Sequence, residues 1–227
     1  MVVPKGKREA RISSKHVKAQ NQAIKLGYQE HASGKDGNTV EFAHWVGKDK
    51  VWLRFKVLLD VGALEGRRIL DFGCGNGLLL DYIEEKGVKC HYHGWDISRR
   101  MVETARKRHP LADFKVVDIL EDDLKKFQGF FDYVLVSGVF HVRFSSGEAA
   151  HLEWIEAALS KLWPLCKEGL GFNLMSEHVD WKASDLYYAP IDEITKFLVE
   201  NCSRWFLLRH DYPLWEYTVY VYKNSVK

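Results

Sequence analysis

The sequence predicts an α/β fold, a mostly parallel sheet with helices on both faces, from three features. From residue 68 onward, apolar runs of strand length alternate with segments of helical periodicity. The breaks between them are short, and glycine-rich or polar turns mark the boundaries. The 227 residues are enough for one such domain with a sizeable core, and too few for two full domains plus linkers.

The elements follow in order. A polar helix is expected from Ser13 to Glu30, broken by the turn residues His31-Ala32-Ser33-Gly34-Lys35-Asp36-Gly37-Asn38. A second helix runs from Lys48 to Val61, where Val51, Trp52, Phe55, Leu58 and Leu59 recur at helical spacing and Gly62 and Gly66 end the pattern. Strands are expected at Arg68 to Phe72, Lys89 to Asp96, Phe114 to Asp118, Tyr133 to Ser137 and Leu170 to Met175. Helices fall between them at Gly77 to Lys86, Ser98 to Arg108, Glu121 to Lys126 and Gly147 to Cys166. In the last of these, Leu152, Ile155, Leu159 and Leu162 form one core-facing stripe. A helix from Ile191 to Asn201 then leads to two apolar runs, Trp205 to Arg209 and Tyr217 to Tyr222. Joined by His210-Asp211-Tyr212-Pro213, these read as an antiparallel pair at the end of the sheet.

Composition narrows the class. Hydrophobic residues at 46% and charged residues at 28% are those of an ordinary globular chain. No run approaches the roughly 20 apolar residues of a spanning helix. The start, Met1-Val2-Val3-Pro4-Lys5-Gly6-Lys7-Arg8, lacks the apolar core of a secretory signal, so a cytoplasmic location is expected. Cys74, Cys90, Cys166 and Cys202 are widely spaced, with no His at a ligand spacing, so no metal site is expected. The net charge of +2 is unevenly spread. Lys5, Lys7, Arg8, Arg11, Lys15, Lys18 and Lys25 face only Glu9 and Glu30, so residues 1–30 are either a solvated arm or a contact for nucleic acid.

The most specific pattern is Asp71-Phe72-Gly73-Cys74-Gly75-Asn76-Gly77, between the first strand and a helix. Glycines there let the backbone approach a ligand closely and leave N–H groups free at a helix start. A dinucleotide fingerprint needs a glycine at position 78, which is Leu78, and no Gly-Lys-Ser/Thr follows to make a P-loop. The spacing Asp-x-Gly-x-Gly-x-Gly instead resembles the first motif of class I S-adenosylmethionine-dependent methyltransferases. Similarity to a bacterial-type, small-molecule subgroup of these enzymes extends over Trp52 to Leu59, Tyr133 to Phe140 and His210 to Tyr220. Asn76-Gly77-Leu78 departs from it, since an acid often follows the third glycine there.

The resemblance implies a Rossmann-like, seven-stranded, mostly parallel sheet with a reversed last strand. Residues 1–62 would form a basic arm and helical cap, and 63–227 the methyltransferase domain. It implies S-adenosyl-L-methionine as cofactor and S-adenosyl-L-homocysteine as product. Around that cofactor it places Asp71, Gly73, Cys74, Gly75 and Gly77 in the turn. Asp96, ending the second strand, is placed at the ribose hydroxyls with Ile97 on the adenine face. Asp118, ending the third, is placed at the adenine amino group with Ile119 on the ring. Ser137 and Gly138 lie over the transferred methyl, and Arg54 suits the methionine carboxylate. Taken singly, Asp96 and Asp118 read equally as helix N-caps, and Arg54 as a surface charge.

Methyl transfer from a sulfonium is an in-line displacement, so the protein mainly aligns the acceptor and excludes water. A base is needed only for an acceptor that is protonated at working pH. His141, following the fourth strand, is the candidate for that role, with a packed histidine as the alternative. His178, Trp181, Tyr188 and His210 are candidates for the substrate wall. Trp45, with His44, Tyr28 and His31, is a candidate lid. A small-molecule acceptor methylated at O or N is the first expectation. RNA or protein methylation through the basic arm is the second, although Ser137-Gly138-Val139-Phe140 lacks the Asn/Asp-Pro-Pro-Tyr/Phe run of nucleic-acid amino methylases. A cofactor-binding module without catalysis is the third.

Overall fold

Successive residues of the central strands enter two separate cores, and this sets the layering of the molecule. The computed structural model describes residues 15–31, 47–143 and 147–225. The basic segment 1–14 and the stretch 32–46, with His44 and Trp45, lie outside the described residues, as do the side chains of Tyr28 and His31.

The helices are α1 (Lys15–His31), α2 (Lys48–Leu59), α3 (Leu78–Glu85), α4 (Arg99–Arg108), α5 (Glu148–Leu162) and α6 (Ile191–Asn201). The strands are β1 (Arg68–Phe72), β2 (His91–Asp96), β3 (Asp113–Val116), β4 (Phe131–Val136), β5 (Cys166–Ser176), β6 (Tyr188–Ala189), β7 (Phe206–Arg209) and β8 (Glu216–Tyr222). The sheet runs β3-β2-β1-β4-β5-β8-β7, with the short β6 paired to β5. β8 is antiparallel to both neighbours, β5 and β7, and the other pairings are parallel. This is the Rossmann-like sheet with a reversed last strand.

Side chains alternate across a strand, so Ile69 and Leu135 join Val51, Phe55 and Leu58 of α2, Leu79 and Ile83 of α3 and Val102 of α4. Leu70, Phe72, Val134 and Val136 point the other way, to Val17 and Ile24 of α1, Ile155 and Leu159 of α5 and Phe197 of α6. Coverage of both faces explains why β1 and β4 read as nearly continuous apolar runs.

Most elements shift by one to four residues at an end, β3 stopping at Val116 and β5 beginning at Cys166, and three differences have an evident cause. α5 stops at Leu162, before the expected Cys166; Trp163–Leu165 forms a 3-10 turn around Pro164, which has no N–H to continue the helix, and Cys166 opens β5. The helix expected at Glu121 to Lys126 is a turn followed by a 3-10 segment at Lys125–Phe127. Its carboxylates bond the local backbone, Asp122 accepting from Asp118 N–H and Asp123 from Lys125 N–H, in competition with a helix. β6 is too short to leave a period in the sequence. Among the described residues no helix is long and apolar enough to cross a membrane, and no group of acids, cysteines and histidines is arranged to hold a metal.

Candidate active site

The order of the sheet reverses between β1 and β4, both of which neighbour each other while their successors run to opposite edges. The crevice outside the carboxyl ends of these strands is where open α/β sheets bind ligands.

The glycine turn after β1 is stitched to the end of β2. Gly73 and Cys74 donate to the Trp95 carbonyl at 2.7 and 3.1 Å, and Gly77 closes the turn on the Cys74 carbonyl at 3.0 Å ahead of α3. Gly73 has φ +77°, and a Cβ there would run into the Val139 side chain. Gly75 has φ +53° with open space where a Cβ would stand. Its N–H donates to Asp96 Oδ2 at 2.8 Å, and the other Asp96 oxygen accepts from Ser98 N–H, also at 2.8 Å. The cap of α4 is Ser98, whose hydroxyl accepts from Met101 N–H. Asp96 is therefore not the cap, and its carboxylate retains acceptor capacity. Burial raises its carboxyl above the usual aspartate range, and the N–H groups of Ser98, Gly75 and Ile97 oppose that rise. Ile97 beside it is half-buried.

Asp71 and Cys74 sit beneath the turn. Asp71 is buried and accepts the Tyr92 hydroxyl at 2.5 Å. Burial pushes its carboxyl up to about 7, with Tyr92 opposing and Asp96 adding to the rise. Burial also pushes the Cys74 thiol well above its usual range, so it is an inert packing group. On the far side, Arg108 of α4 donates to the Asn76 carbonyl and pairs with Asp81 of α3. Nothing in the spacing of the glycine motif indicated that clamp.

Asp118 lies just beyond β3 and meets α1. Both its oxygens accept from Asn21 Nδ2, at 2.9 and 3.1 Å, and Lys25 Nζ stands 3.5 Å away. Asn21 in turn accepts from Trp154 of α5. Next to it Gln20 meets His151 Nδ1 at 3.0 Å, and His151 Nε2 reaches the Phe140 carbonyl at 3.1 Å. Ile119 is buried in the adjoining core.

After β4, Ser137 is buried and its hydroxyl has no hydrogen-bond partner. Gly138 N–H donates to Asn173 Oδ1 at 2.8 Å. His141 is buried, and its Nε2 lacks a hydrogen-bond partner, 3.9 Å from Glu216 Oε2. Burial lowers its pKa to about 4, with Glu216 opposing and Arg54 reinforcing the drop, so the ring is neutral at neutral pH.

Arg54 differs from its expected setting. Its guanidinium forks onto Glu216, with Nε at 2.8 Å from both oxygens and a terminal nitrogen at 2.6 Å from Oε2. It is a mostly buried partner of an internal carboxylate, not a surface charge. Glu216 opens β8 with 1% exposure and also accepts Asn173 Nδ2 at 2.8 Å. Burial works against its charge, but Arg54, His141 and Asn173 together hold it below the usual glutamate range. The sequence carried a signal for it: a lone acid heading the apolar run Glu216-Tyr217-Thr218-Val219-Tyr220 must find a partner if buried.

The loops after β5 and before β8 bring His178 and His210 together, with ring centroids 6.4 Å apart. His210 lies 6.5 Å from the Tyr217 ring. Trp181 is 74% exposed. The Tyr188 hydroxyl is already used within its own loop, accepting from Ala183 N–H at 2.8 Å.

Comparison with known proteins gives a consistent result. The family described as a methyltransferase domain matches residues 70–169. The methyltransferase candidate Rv1506c of Mycobacterium tuberculosis is 34% identical over 170 residues, spanning 73% of this chain and 98% of that protein. The (S)-tetrahydroprotoberberine N-methyltransferase of Eschscholzia californica is 26% identical over 133 residues, 57% of this chain and 34% of the enzyme. In fold, the chain resembles the magnesium protoporphyrin IX methyltransferase of Synechocystis, solved with S-adenosylhomocysteine. The TM-score is 0.60 at 16% identity, over 92% of this chain and all of the other.

Proposed function

Because the chain belongs to the class I S-adenosylmethionine-dependent methyltransferases, we propose that its acceptor is a small molecule, methylated at oxygen or nitrogen by in-line displacement. The carrying observation is the tie between the glycine turn and Asp96, which puts an open-sided glycine and a half-buried carboxylate at adjoining strand ends. The name of one relative agrees: the (S)-tetrahydroprotoberberine N-methyltransferase acts on a small molecule at nitrogen.

In this reading Gly73, Gly75 and Gly77 line the path of the cofactor, with Asp71 and Cys74 supporting them from below. Asp96 takes the ribose hydroxyls and Asp118 the adenine amino group. Ile97 and Ile119 flank the ring, and Ser137 and Gly138 border the methyl. The residues fit such a ligand. Asp96 keeps acceptor capacity beside the N–H groups of Gly75, Ser98 and Ile97, and the orphaned Ser137 hydroxyl needs a partner. S-adenosylmethionine supplies a methyl group already activated on a sulfonium. The protein's part is to orient the acceptor, exclude water and, through neutral His141, receive a proton. Arg54 serves this site through Glu216. His178, Trp181, Tyr188 and His210 form the wall around the acceptor, and Trp45 is its proposed lid.

Calorimetry with S-adenosylmethionine tests the cofactor site: micromolar binding by the wild type, weakened in Asp96→Ala, is expected. Incubating the protein with metabolite extract and methyl-labelled cofactor, then identifying the labelled product, tests the acceptor class. Label appearing only in added RNA or protein would overturn the small-molecule reading.

A further inference from the structure

We propose that Glu216 is the positioning residue for proton transfer through His141, and that the acceptor therefore presents a hydroxyl or an amine N–H to the site, not a carboxylate. This rests on the reading of His141 as the base given above, and it adds the residue that makes His141 competent and the kind of acceptor that needs it.

The argument starts from what Glu216 has left to offer. An ionised carboxylate has about four acceptor positions. The fork from Arg54 and the amide of Asn173 occupy most of them. A further nitrogen beside the carboxylate is His141 Nε2, at 3.9 Å from Oε2, too far for a hydrogen bond in the resting state. That nitrogen is buried and has no partner. A buried polar atom without a partner is costly, and a pair serving only to hold α2 to β8 would not require one. Protonation of Nε2 resolves the mismatch, because a shift of about 1 Å makes a charge-assisted bond to Glu216.

The surroundings reinforce this arrangement. Asn173 donates to Glu216 through Nδ2 and accepts Gly138 N–H through Oδ1, so one side chain fixes both the carboxylate and the turn leading to His141. The main-chain carbonyl of His141 is also held, accepting Tyr187 N–H at 2.8 Å. The charged and titratable groups that bear on the His141 ring are Glu216 of β8, Arg54 of α2 and His151 of α5. Of these only Glu216 favours the imidazolium. Tyr212, hydrogen-bonded to Thr218, adds no charge of its own at neutral pH.

The step balances as follows. An acceptor X–H forms the new X–C bond to the methyl carbon as the C–S bond breaks, its electron pair remaining on sulfur in S-adenosylhomocysteine. The proton leaves X for His141 Nε2, and the imidazolium pairs with Glu216 until solvent takes the proton. A carboxylate acceptor has no proton to give and would bring a second negative charge toward Glu216, whose Arg54 is already committed.

The test uses the full chain, with Glu216→Gln and, because an unpaired Arg54 can unfold the single variant, Arg54→Gln/Glu216→Gln. The probes are phenols, primary amines and carboxylates of matched ring size, read by release of S-adenosylhomocysteine. The wild type is expected to methylate hydroxyl or amine probes. The folded variants are expected to keep cofactor affinity within threefold, lose about 100-fold in kcat, and shift the acid limb of the kcat profile to lower pH. Glu216→Asp should recover part of the rate. Unchanged kcat or an unchanged pH profile in a folded variant overturns the role of Glu216, and turnover of carboxylates alone, or of no hydroxyl or amine, overturns the acceptor class. Absence of S-adenosylmethionine binding by the wild type would instead strike the cofactor site.

Discussion

The backbone N–H of Gly75 donates to the Asp96 carboxylate at 2.8 Å, so the turn after β1 and the end of β2 form one unit. Ser98 N–H shares the same carboxylate. Replacing Asp96 with Ala orphans both donors, each at a cost of about 1–3 kcal/mol where buried. Asp96→Ala is expected to lower the melting temperature and to weaken S-adenosylmethionine binding by at least tenfold in calorimetry. Asp96→Asn keeps an acceptor for one N–H and should regain part of the stability but little of the affinity.

Gly73 and Gly75 both have positive φ, yet they should respond differently to alanine. At either position the left-handed backbone costs a β-carbon about 1–2 kcal/mol. At Gly73 the new methyl also meets Val139, whereas at Gly75 it enters open space. Gly73→Ala is expected to be the more destabilising in thermal denaturation. Gly75→Ala should fold and still lose cofactor affinity, because the proposed cofactor path runs along the open side of this glycine. Equal binding by Gly75→Ala and wild type would remove that position from the site.

These contrasts show which parts of the site the sequence could carry. The turn after β1 and the place of Asp96 at the end of β2 are legible because their spacing is local and repeats a strand-turn-helix pattern. The two cores were legible because alternation along β1 and β4 is a period of two. Arg54 was read as a ligand contact or a surface charge because its partner lies on β8, and only folding makes that neighbour visible. Asn21 lies on a helix that reads as merely polar, since its partner Asp118 stands 97 residues away in the chain. Pro164 was visible, but the helix was carried through it because apolar residues continue on both sides.

Acidification should weaken the fold through its buried histidines. Burial lowers His141 and His151 to about 4 from an ordinary value near 6.5. The unfolded chain then binds the extra protons, so the contribution of each ring is present above about pH 6.5 and is lost as pH falls toward 4. For one ring the full loss is on the order of 3 kcal/mol. Asp71 has the opposite sign. Its folded value is raised to about 7, so its contribution is present at low pH and is lost as pH rises through 7. Asp71→Asn keeps an acceptor for the Tyr92 hydroxyl and removes that loss. Urea denaturation at about pH 8 should find Asp71→Asn more stable than wild type by at least ~1 kcal/mol, with the advantage gone near pH 4. Equal stability at the higher pH would show that folding does not raise the Asp71 carboxyl.

The docking of α1 should depend on Asn21. Its amide joins three elements, donating to both oxygens of Asp118 and accepting from Trp154 Nε1 at 3.2 Å. Apolar contact from Val17 and Ile24 holds the same helix face, so α1 does not rest on the amide alone. Asn21→Leu fills the space but leaves the buried Trp154 N–H without its acceptor, which costs about 1–3 kcal/mol, while Asp118 keeps the Leu120 N–H and Lys25. Hydrogen exchange should therefore quicken across Lys15–His31 while β1, β4 and β5 keep their protection, since local opening samples the weakest docked element first. Asn21→Asp should act more strongly, because it sets a second carboxylate against Asp118 with Lys25 as the nearby cation. Uniform loss of protection across the sheet in Asn21→Leu would instead make α1 an inseparable part of the central fold.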